Sequence, residues 1–545
     1  MLTAWAVISL KRRVRIVFFA TVLVFVLVLV RIGTLVNSTE VQSVGLDQGT
    51  RSVTVVSLRG TIYDRNHIPL VNADNEYSAA FLPSSGVLKQ LRTAMNTVEY
   101  NQLIERLERN TPAVVQLQRP AAIADGMRVF FAPVRYTDYC PCPHILGHLD
   151  GSMQYGVTGI EKAFDSFLNQ HTGQIKATFS VNGLGDYVEG SPIQVTNTLN
   201  NSTSGVVLTI DKEIQQIVDD TAPEFLEKGA VVIIDPRSGE VLAGSSFPSF
   251  HPGQVADSMD DADGALLNRM LSLYDCGSVF KIVTAVAALE NGFSIAQTYD
   301  CAGGMTVQNT VFHCHQRLGH QTLTMDEAFA KSCNLYFIQL AAQLGAEKLL
   351  ETAEKLGLTD AIELADSLIA PRAVLPTKTE LVAPAALANL SFGQGKLLVS
   401  PLHIARMTAV MAANGTLQNL QLISGTLTNE DGFTQAEKRG GETVITAATI
   451  SALRRMMELV VTDGTGTRAQ PDNITAAGKT GTAQTGQYNN GQPVVQSWFT
   501  GYFPADNPQY VVTILAEDAE TTDADATGLF CEISNKLTEL KRNGG

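Results

Sequence analysis

Residues 16–30 form a run of fifteen uncharged, mostly apolar residues. This run limits the possible structures of the chain more than any other feature, because together with the apolar residues that follow it is long enough to suggest a membrane-spanning helix. Arg31 interrupts the run, and apolar residues return at 32–36. Counted from 16 to 36 the segment has 21 residues. As a helix it would be about 31 Å long, enough to cross a bilayer if Arg31 extends to the headgroups. The sequence therefore predicts a transmembrane anchor at residues 16–36.

Basic side chains precede this apolar run and predict its orientation. Lys11, Arg12, Arg13 and Arg15 lie on its N-terminal side, and such clusters stay in the cytoplasm. We therefore expect residues 1–15 to be cytoplasmic and the rest of the chain to be extracytoplasmic. A cleaved signal peptide is the alternative. It is disfavoured because the apolar run continues into RIGTLVNSTE, without a small-x-small cleavage site.

The composition is typical of globular domains, with 45% hydrophobic and 17% charged residues. A chain of 545 residues is long enough for two or three such domains. The net charge of −15 makes a nucleic acid an unfavourable partner. Short mixed segments with many turn signals end in the polar stretch TNTLNNSTSG, which is typical of a linker. We therefore expect one domain at 37–205 and a second at 206–545.

The second region has a more regular pattern of secondary structure. GVVLTI predicts a buried strand, DKEIQQIVDDTAPEFLEK an amphipathic helix, and AVVIIDPRSGEVLAGSS a β-hairpin. Helical segments are expected to dominate from 279 to about 356. Near the C-terminus, ITAAGKTGTAQT, QSWFTGYFP and QYVVTILAED predict strands, and ATGLFCEISNKLTELKR predicts a closing helix. Strands at both ends with helices between them indicate an α+β fold.

Three short motifs occur in order in this second region. They are Ser278-x-x-Lys281, Ser332-Cys333-Asn334 and Lys479-Thr480-Gly481. Each motif alone is weak, since a helix cap, a surface lysine, a helix end or a solvated strand would explain its residues. Together and in this order they match a set found in class A β-lactamases and penicillin-binding proteins, where the middle residue of the second motif is Asp.

The first motif pairs a nucleophile with a base. Residues three apart share one face of a helix, so Lys281 is predicted to lie beside the Ser278 hydroxyl. Only a neutral amine can accept that proton, and burial together with a second cation, Lys479, favours the neutral form. Ser278 at a helix start places developing negative charge near backbone N–H groups. The N–H groups of Ser278 and Thr482 are predicted to form an oxyanion hole.

The other two motifs predict proton transfer and substrate alignment. Ser332 is expected to carry a proton between the Ser278–Lys281 pair and a leaving amine, and Asn334 to hydrogen-bond a peptide backbone. Thr480, Gly481 and Thr482 suit an edge strand against which a peptide substrate adds as a further strand. The absence of a side chain at residue 481 would let the substrate backbone approach closely.

The cysteines leave a disulfide open and do not indicate a metal site. Cys301 and Cys314 bracket a glycine-containing segment and could close a hairpin by a disulfide outside the membrane. His313 and His315 flank Cys314, but four ligands at a spacing typical of zinc sites are not recognisable. The sequence therefore predicts no metal and no cofactor.

Longer segments resemble the class B penicillin-binding proteins, the D,D-transpeptidases of peptidoglycan. RGTIYDRNHIPLV, RYTDYCPCPHILGHLDG and GVTGIEKAFD are similar to motifs of the family's pedestal. LTIDKEIQQ, IDPRSGEVLAGSSFPSFHP, SFGQGKLLVSPLHIARMTAVMAANG and DGTGTRA are similar to segments of its transpeptidase domain. The chain departs from the family at Cys276, where proline is usual, and at His67, where glycine is common. Neither residue belongs to the catalytic motifs.

The resemblance implies a fold, a reaction and partners. It implies a non-catalytic pedestal at 37–205 and, at 206–545, a transpeptidase domain with an antiparallel sheet flanked by helices. The expected substrate is a stem peptide ending in D-Ala-D-Ala, and β-lactams are expected to acylate Ser278. The pedestal and the transmembrane helix are expected to contact a glycan polymerase of the SEDS family. The cellular role could be division, elongation or sporulation.

Charged residues in the pedestal motifs have a structural interpretation. They are Arg59, Asp64, Arg65, Arg135, Gly159 and Glu161, the glycine included for its place in the motif. We expect them to form a charged structural hub, not a second active site.

Three alternatives compete with a transpeptidase. A β-lactamase or carboxypeptidase would use water as acceptor. However, no glutamate between Asn334 and Lys479 is followed four residues later by the asparagine typical of class A β-lactamases. A membrane-anchored β-lactam sensor would need a signalling domain inside, where about 15 residues are expected. A non-catalytic scaffold is disfavoured by the intact motifs.

Overall fold

The computed structural model describes residues 2–36, 49–108, 110–489, 492–519 and 524–544. Through residue 203 the elements are α1 (Leu2–Val36), β1 (Thr50–Leu58), β2 (Thr61–Tyr63), β3 (Asn75–Phe81), α2 (Ser85–Ala94), α3 (Thr97–Arg106), β4 (Ala113–Leu117), β5 (Met127–Pro133), α4 (Pro143–Leu146), α5 (Gly159–Ala163), α6 (Asp165–Gln170), β6 (Gly173–Ser180) and β7 (Gln194–Asn197).

The elements that follow residue 203 include the catalytic motifs. They are β8 (Gly205–Leu208), α7 (Lys212–Thr221), β9 (Gly229–Ile234), β10 (Val241–Phe247), α8 (Lys281–Glu290), β11 (Tyr299–Cys301), β12 (Gly304–Val307), β13 (Thr310–His313), β14 (Gln321–Leu323), α9 (Met325–Ala330), α10 (Asn334–Leu344), α11 (Ala346–Lys355), β15 (Ile362–Ala365), β16 (Leu368–Ala370), α12 (Pro384–Ser391), α13 (Pro401–Ala412), β17 (Thr416–Leu417), β18 (Ile423–Thr428), β19 (Gly432–Gln435), β20 (Glu442–Thr443), α14 (Ala447–Asp463), β21 (Ala477–Asn489), β22 (Gln492–Phe503), β23 (Tyr510–Ala519) and α15 (Ala524–Gly544).

Helix α1 contains the predicted transmembrane segment. Its stretch Arg12–Thr34 has a mean hydropathy of 2.8 over its most apolar window and is long and apolar enough to cross a membrane. The apolar side chains of this stretch are exposed, as expected for a helix that contacts lipid. This is compatible with the predicted anchor at 16–36, although the helix begins earlier, at Leu2. Residues 37–48, where the pedestal was expected to begin, lie outside the described residues.

The chain folds into two compact units, each built from several segments. The first comprises Met1–Leu58, Asp74–Val134 and Gly173–Leu199, and the second Arg59–Ala73, Arg135–Thr172 and Asn200–Gly545. The single division near residue 205 does not describe this arrangement, because two segments before it belong to the second unit. The reason is pairing between distant strands: β2 pairs in parallel with β8.

The described residues of the first unit contain two small sheets. One has the strand order β4-β3-β5 and the other β1-β6-β7. Helix α2 begins after Ser84, whose side chain accepts a hydrogen bond from the Val87 N–H. Val87 and Leu91 of this helix are buried with Phe81 of β3. This cluster gives the unit its own small hydrophobic core.

A five-stranded antiparallel sheet with the order β10-β9-β23-β22-β21 forms the centre of the second unit. Side chains of β9 alternate between its two faces. Val231 and Ile233 pack in a core with α7 and α15, whereas Val232 packs in the core on the other face, against which α13 lies. The predicted α+β architecture, an antiparallel sheet flanked by helices, is confirmed.

Most predicted elements of this unit are present at the expected positions. Strand β8, helix α7, hairpin β9–β10, strands β21–β23 and helix α15 all form. The expectation of mainly helix from 279 to 356 is incomplete, because β11–β14 lie between helices α8 and α9 and form two small two-stranded sheets. These strands have only three or four residues each. A segment this short shows no clear periodicity, so its pairing is visible only in three dimensions.

Candidate active site

Ser278 and Lys281 lie side by side where a 3₁₀ turn passes into an α-helix. Residues Gly277–Phe280 form a 3₁₀ turn, and α8 begins directly after it at Lys281. Residues three apart are eclipsed in a 3₁₀ turn, and the Lys281 Nζ atom lies 3.0 Å from the Ser278 Oγ atom. Neither helix start carries a side-chain cap. The structure therefore places Ser278 beside the amine, and not in a capping role.

Both polar residues of the second motif contact the same amine, that of Lys281. Ser332 and Asn334 occupy the turn between α9 and the start of α10. The Lys281 Nζ atom is 2.7 Å from both the Ser332 carbonyl oxygen and the Asn334 Oδ1 atom, and 3.1 Å from the Ser332 Oγ atom. The φ angle of Ser332 is +51°, a left-handed conformation that is uncommon outside glycine. The surrounding contacts must hold Ser332 in this conformation.

Lys479 brings the third motif to the same hydroxyl. Its Nζ atom is 3.1 Å from the Ser332 Oγ atom and 3.0 Å from the carbonyl oxygen of Thr480. Lys281 and Lys479 are both 0% exposed. Aromatic rings line both amines, at 5.7 Å from Phe337 for Lys281 and 5.7 Å from Phe329 for Lys479. Two buried amines thus lie on either side of one serine hydroxyl.

The edge strand β21 lies directly against the turn that carries Ser278. A Cβ atom added to Gly277, whose φ is +51°, would lie 2.5 Å from the Thr482 carbonyl oxygen. A Cβ atom on Gly481 would lie 2.7 Å from Val279 Cγ2 and 2.8 Å from the Cys276 carbonyl oxygen. Glycine at 481 is therefore explained by the packing of protein on protein. Its part in substrate approach, and the oxyanion hole at Ser278 and Thr482, stay predictions.

Two contacts around the motifs were not assigned from the sequence. Thr465, from the DGTGTRA segment, has its Oγ1 atom 2.6 Å from the Thr480 Oγ1 atom. Gly393, from the SFGQGK segment, lies so close to Gly277 that a Cβ atom there would collide with the Gly277 carbonyl group. The glycine-rich composition of both segments was the available signal, but it does not reveal which strand or turn they support.

The thiols of Cys276, Cys301 and Cys314 are not part of the three motifs. Cys276 is 0% exposed, and burial raises the pKa of its thiol to about 12. This thiol is therefore poorly suited to nucleophilic chemistry. Cys301 and Cys314, for which a disulfide was left open, are free thiols in the structure.

Three of the pedestal-motif charges, Arg59, Arg135 and Glu161, contact one another. Both Nε and Nη2 of Arg135 approach Glu161 Oε1, at 2.8 Å and 2.7 Å, and the Tyr136 hydroxyl donates to the same oxygen at 2.8 Å. Arg59 Nη1 is 3.6 Å from Glu161 Oε2, and Glu161 is completely buried. Gly159 is the first residue of α5, the short helix that also contains Glu161.

The other two charges of the expected hub have separate partners. Asp64 Oδ1 accepts hydrogen bonds from the backbone N–H groups of Asn66 and Ile68 and so fixes a turn. Arg65 forms an ion pair of 2.9 Å with Glu240. These contacts support the structural interpretation of the pedestal motifs, although they form three groups and not one hub.

Comparison with known proteins decides the family. Residues 229–535 match the family described as the penicillin binding protein transpeptidase domain. This chain belongs to that family. The match covers the segment from β9 into α15, and so includes all three motifs of the penicillin-binding proteins. The resemblance to class B penicillin-binding proteins is thereby confirmed.

Individual penicillin-binding proteins and relatives are similar over most of the chain. Stage V sporulation protein D of Bacillus subtilis is 27% identical over 94% of this chain and 83% of its own length. Peptidoglycan D,D-transpeptidase PbpA of Mycolicibacterium smegmatis is 29% identical over 70% of this chain and 79% of its own length. The structure of Mycobacterium tuberculosis penicillin binding protein 3 with aztreonam has a TM-score of 0.65, 23% identity, and coverage of 90% and 97%. That structural likeness establishes the fold.

Proposed function

We propose that this protein is a peptidoglycan D,D-transpeptidase that crosslinks stem peptides through a serine acyl-enzyme. The observation that carries the proposal is the shared hydroxyl of Ser332, 3.1 Å from the amines of both Lys281 and Lys479. This arrangement joins a nucleophile, a base and a proton carrier in one buried network. The names of relatives such as PbpA support the same reaction.

In the proposed first half-reaction, neutral Lys281 accepts the proton of Ser278 as Oγ attacks the carbonyl between two terminal D-alanines. The negative charge on the tetrahedral oxygen is stabilised by the N–H groups of Ser278 and Thr482. The C–N bond then breaks, and the departing D-alanine amine takes a proton delivered through Ser332. An ester to Ser278 remains.

In the second half-reaction, the amine of a neighbouring stem peptide attacks the ester. Its proton returns through the Ser332–Lys281 network to Ser278 Oγ, which leaves as the hydroxyl. The product is a new amide crosslink, and the enzyme is regenerated. Asn334 and the edge strand β21, through Thr480, Gly481 and Thr482, would align the peptide as an added strand. β-Lactams would enter the first half-reaction in place of the donor peptide.

The proposed setting is the outer face of the cell membrane. Helix α1 would anchor the chain with its basic N-terminal end in the cytoplasm, and a SEDS-type glycan polymerase would be the partner of the pedestal and the anchor. A β-lactam sensor and a silent scaffold are the competing functions. Both lack turnover, so a crosslinking assay separates them from the proposed enzyme.

Labelling with a fluorescent penicillin tests the proposal on the full chain in detergent. Wild type and Ser294→Ala, which changes an exposed serine of the same unit, should be labelled equally, and Ser278→Ala should not be labelled. Incubation with pentapeptide-bearing glycan strands should then give crosslinked products by mass spectrometry. Labelling of Ser278→Ala would contradict the assignment of Ser278 as the nucleophile. Labelling of wild type without any crosslinking would favour a sensor or scaffold.

A further inference from the structure

Three cysteines and one histidine from separate segments lie close together, and one of the cysteines is the middle residue of the second motif. Cys301 ends β11, Cys314 follows β13, His320 precedes β14, and Cys333 lies between the two polar residues of the Ser-x-Asn motif. Their Sγ and ring nitrogen atoms all lie within 4.8 Å of one another. The three cysteines are buried. All four side chains belong to the second unit, and none takes part in the proposed acyl transfer.

The distances within this cluster have the size of a zinc coordination shell. The His320 Nδ1 atom is 3.5 Å from the Sγ atoms of both Cys301 and Cys314, and the Sγ atoms of Cys314 and Cys333 are 3.9 Å apart. A tetrahedral Zn²⁺ with Zn–S of about 2.3 Å and Zn–N of about 2.0–2.1 Å separates sulfur from nitrogen by about 3.5 Å and two sulfurs by about 3.8 Å. A disulfide would instead bring two sulfurs to about 2.05 Å.

We infer that Cys301, Cys314, His320 and Cys333 bind one zinc ion. Three thiolates and an imidazole are a donor set that selects Zn²⁺ over harder cations. Four protein ligands complete a tetrahedron and leave no open position, so the ion is structural and activates no water. This site differs from the sequence expectation of no metal, which considered His313 and His315 beside Cys314. The ligand spacings of 13, 6 and 13 residues contain no short pair, so the sequence pattern alone did not reveal it.

The zinc ion would fix the position of Ser332. Cys333 follows Ser332 directly, and Ser332 is held at φ +51° between its contacts with Lys281 and Lys479. A bond from Cys333 to a metal shared with Cys301 and Cys314 would tie this turn to the strands β11 and β13 and resist its relaxation. Cys333 is therefore assigned as a positioning residue. This consequence rests on the proposed function, whereas zinc binding itself does not.

Metal analysis of the full chain, purified in detergent with a tag that lacks histidine, tests the site directly. We expect about one zinc per chain in wild type and in His313→Ala, a matched control for an exposed histidine of the same region. His320→Ala and Cys333→Ser should lose the zinc. Cobalt substitution should give the spectrum of a tetrahedral thiolate site. A wild type without zinc after dialysis against Zn²⁺, or unchanged zinc in His320→Ala and Cys333→Ser, would overturn the inference.

Thiol labelling of wild type keeps the test independent of how variants fold. With zinc bound, Cys301, Cys314 and Cys333 should resist alkylation, and a chelator should expose all three together, whereas Cys531 should label equally in both states. Rapid alkylation of the three cysteines in the zinc-loaded protein, or a disulfide among them, would contradict the site.

The rate of penicillin acylation tests the positioning role. Chelation should slow acylation by about ten- to a hundredfold, and added zinc should restore it. An unchanged rate in zinc-free protein would overturn the positioning role of Cys333. An absence of acylation in zinc-replete wild type would count against the proposed function and leave the metal site standing.

Discussion

The Nζ atom of Lys479 lies 3.1 Å from the Oγ atom of Ser332, across 147 residues of sequence. Lys281 reaches the same oxygen from the opposite motif at 3.1 Å. A central sheet makes this meeting possible, because β21 is its edge strand and lies against the turn that carries Ser278. Three motifs that are weak separately thus become one continuous hydrogen-bonded network.

Removing the shared hydroxyl should slow acylation without unfolding the protein. We expect Ser332→Gly and Ser332→Ala both to lower the acylation rate constant by about 10²–10⁴-fold, because each removes the proton carrier. Glycine tolerates φ +51°, so Ser332→Gly should melt at or above the wild-type temperature. Stopped-flow acylation and thermal melting measure the two effects. Wild-type acylation by Ser332→Gly would show that proton transfer does not use this hydroxyl.

A methyl group at residue 277 should separate the turn of Ser278 from β21. In Gly277→Ala the new Cβ would lie 2.5 Å from the Thr482 carbonyl oxygen, so one of the two segments must move. We expect acylation to fall by about tenfold or more, since oxyanion-hole geometry depends on both segments. Gly151→Ala is the matched control, because nothing lies within 4 Å of its Cβ position. Equal acylation rates in the two variants would be inconsistent with this placement.

Glu161 should matter for stability and not for chemistry. Glu161→Ala would leave Arg135 buried without a carboxylate partner, whereas Arg59 keeps its ion pair of 2.7 Å with Asp165. Removing one partner of a buried ion pair typically costs about 3–5 kcal/mol. Glu351→Ala, which breaks an exposed ion pair with Lys348, should cost less than about 1 kcal/mol. Thermal melting gives the comparison. Folded Glu161→Ala should still be acylated at low temperature, and a folded but unreactive variant would contradict the structural interpretation.

The buried carboxyl of Asp219 should make stability depend on pH in an unusual direction. Burial raises the pKa of Asp219 from 3.8 to about 6, although Ser245 and Gln215 donate hydrogen bonds to it. The folded state therefore binds more protons than the unfolded state between about pH 4 and 6. Consequently the free energy of unfolding falls as pH rises through this window, and above it this carboxyl causes no further change with pH.

The variant Asp219→Asn isolates this contribution. The stability of wild type minus that of Asp219→Asn should fall by about 1–2 kcal/mol between pH 4 and pH 6.5, a range that allows for partial solvent access. Melting of both proteins at matched pH values measures the difference. A difference that stays constant, or that grows with pH, would contradict the raised pKa.

The sequence predicted the parts of this protein that depend on local pattern. Runs of β-branched residues correctly predicted β8, β9 and β10, and the 3.6-residue periodicity correctly predicted α7. The pairing of Ser278 with Lys281 followed from their spacing alone. Their meeting with Ser332 and Lys479 was expected only from the motif set, because no local pattern specifies which distant strands form one sheet.

Features that depend on distant contacts could not be predicted from local sequence patterns. The strand β2 pairs with β8, and Thr61 lies opposite Gly205, 144 residues further on. A linear division at residue 205 therefore does not follow the two units. Gly481 was interpreted through the substrate, whereas its neighbours Val279 and Cys276 already require a glycine. His320 was overlooked as a partner of the cysteines because it lies closer to them in space than in sequence.

Peptide mapping of the β-lactam adduct identifies the nucleophile. The full chain is incubated with a penicillin, digested, and analysed by mass spectrometry. We predict one adduct per chain, located on Ser278. The adduct should be lost in Lys281→Ala but not in Lys331→Ala, which changes an exposed lysine. An adduct on another residue, or undiminished acylation of Ser278 in Lys281→Ala, would contradict the proposed nucleophile and base.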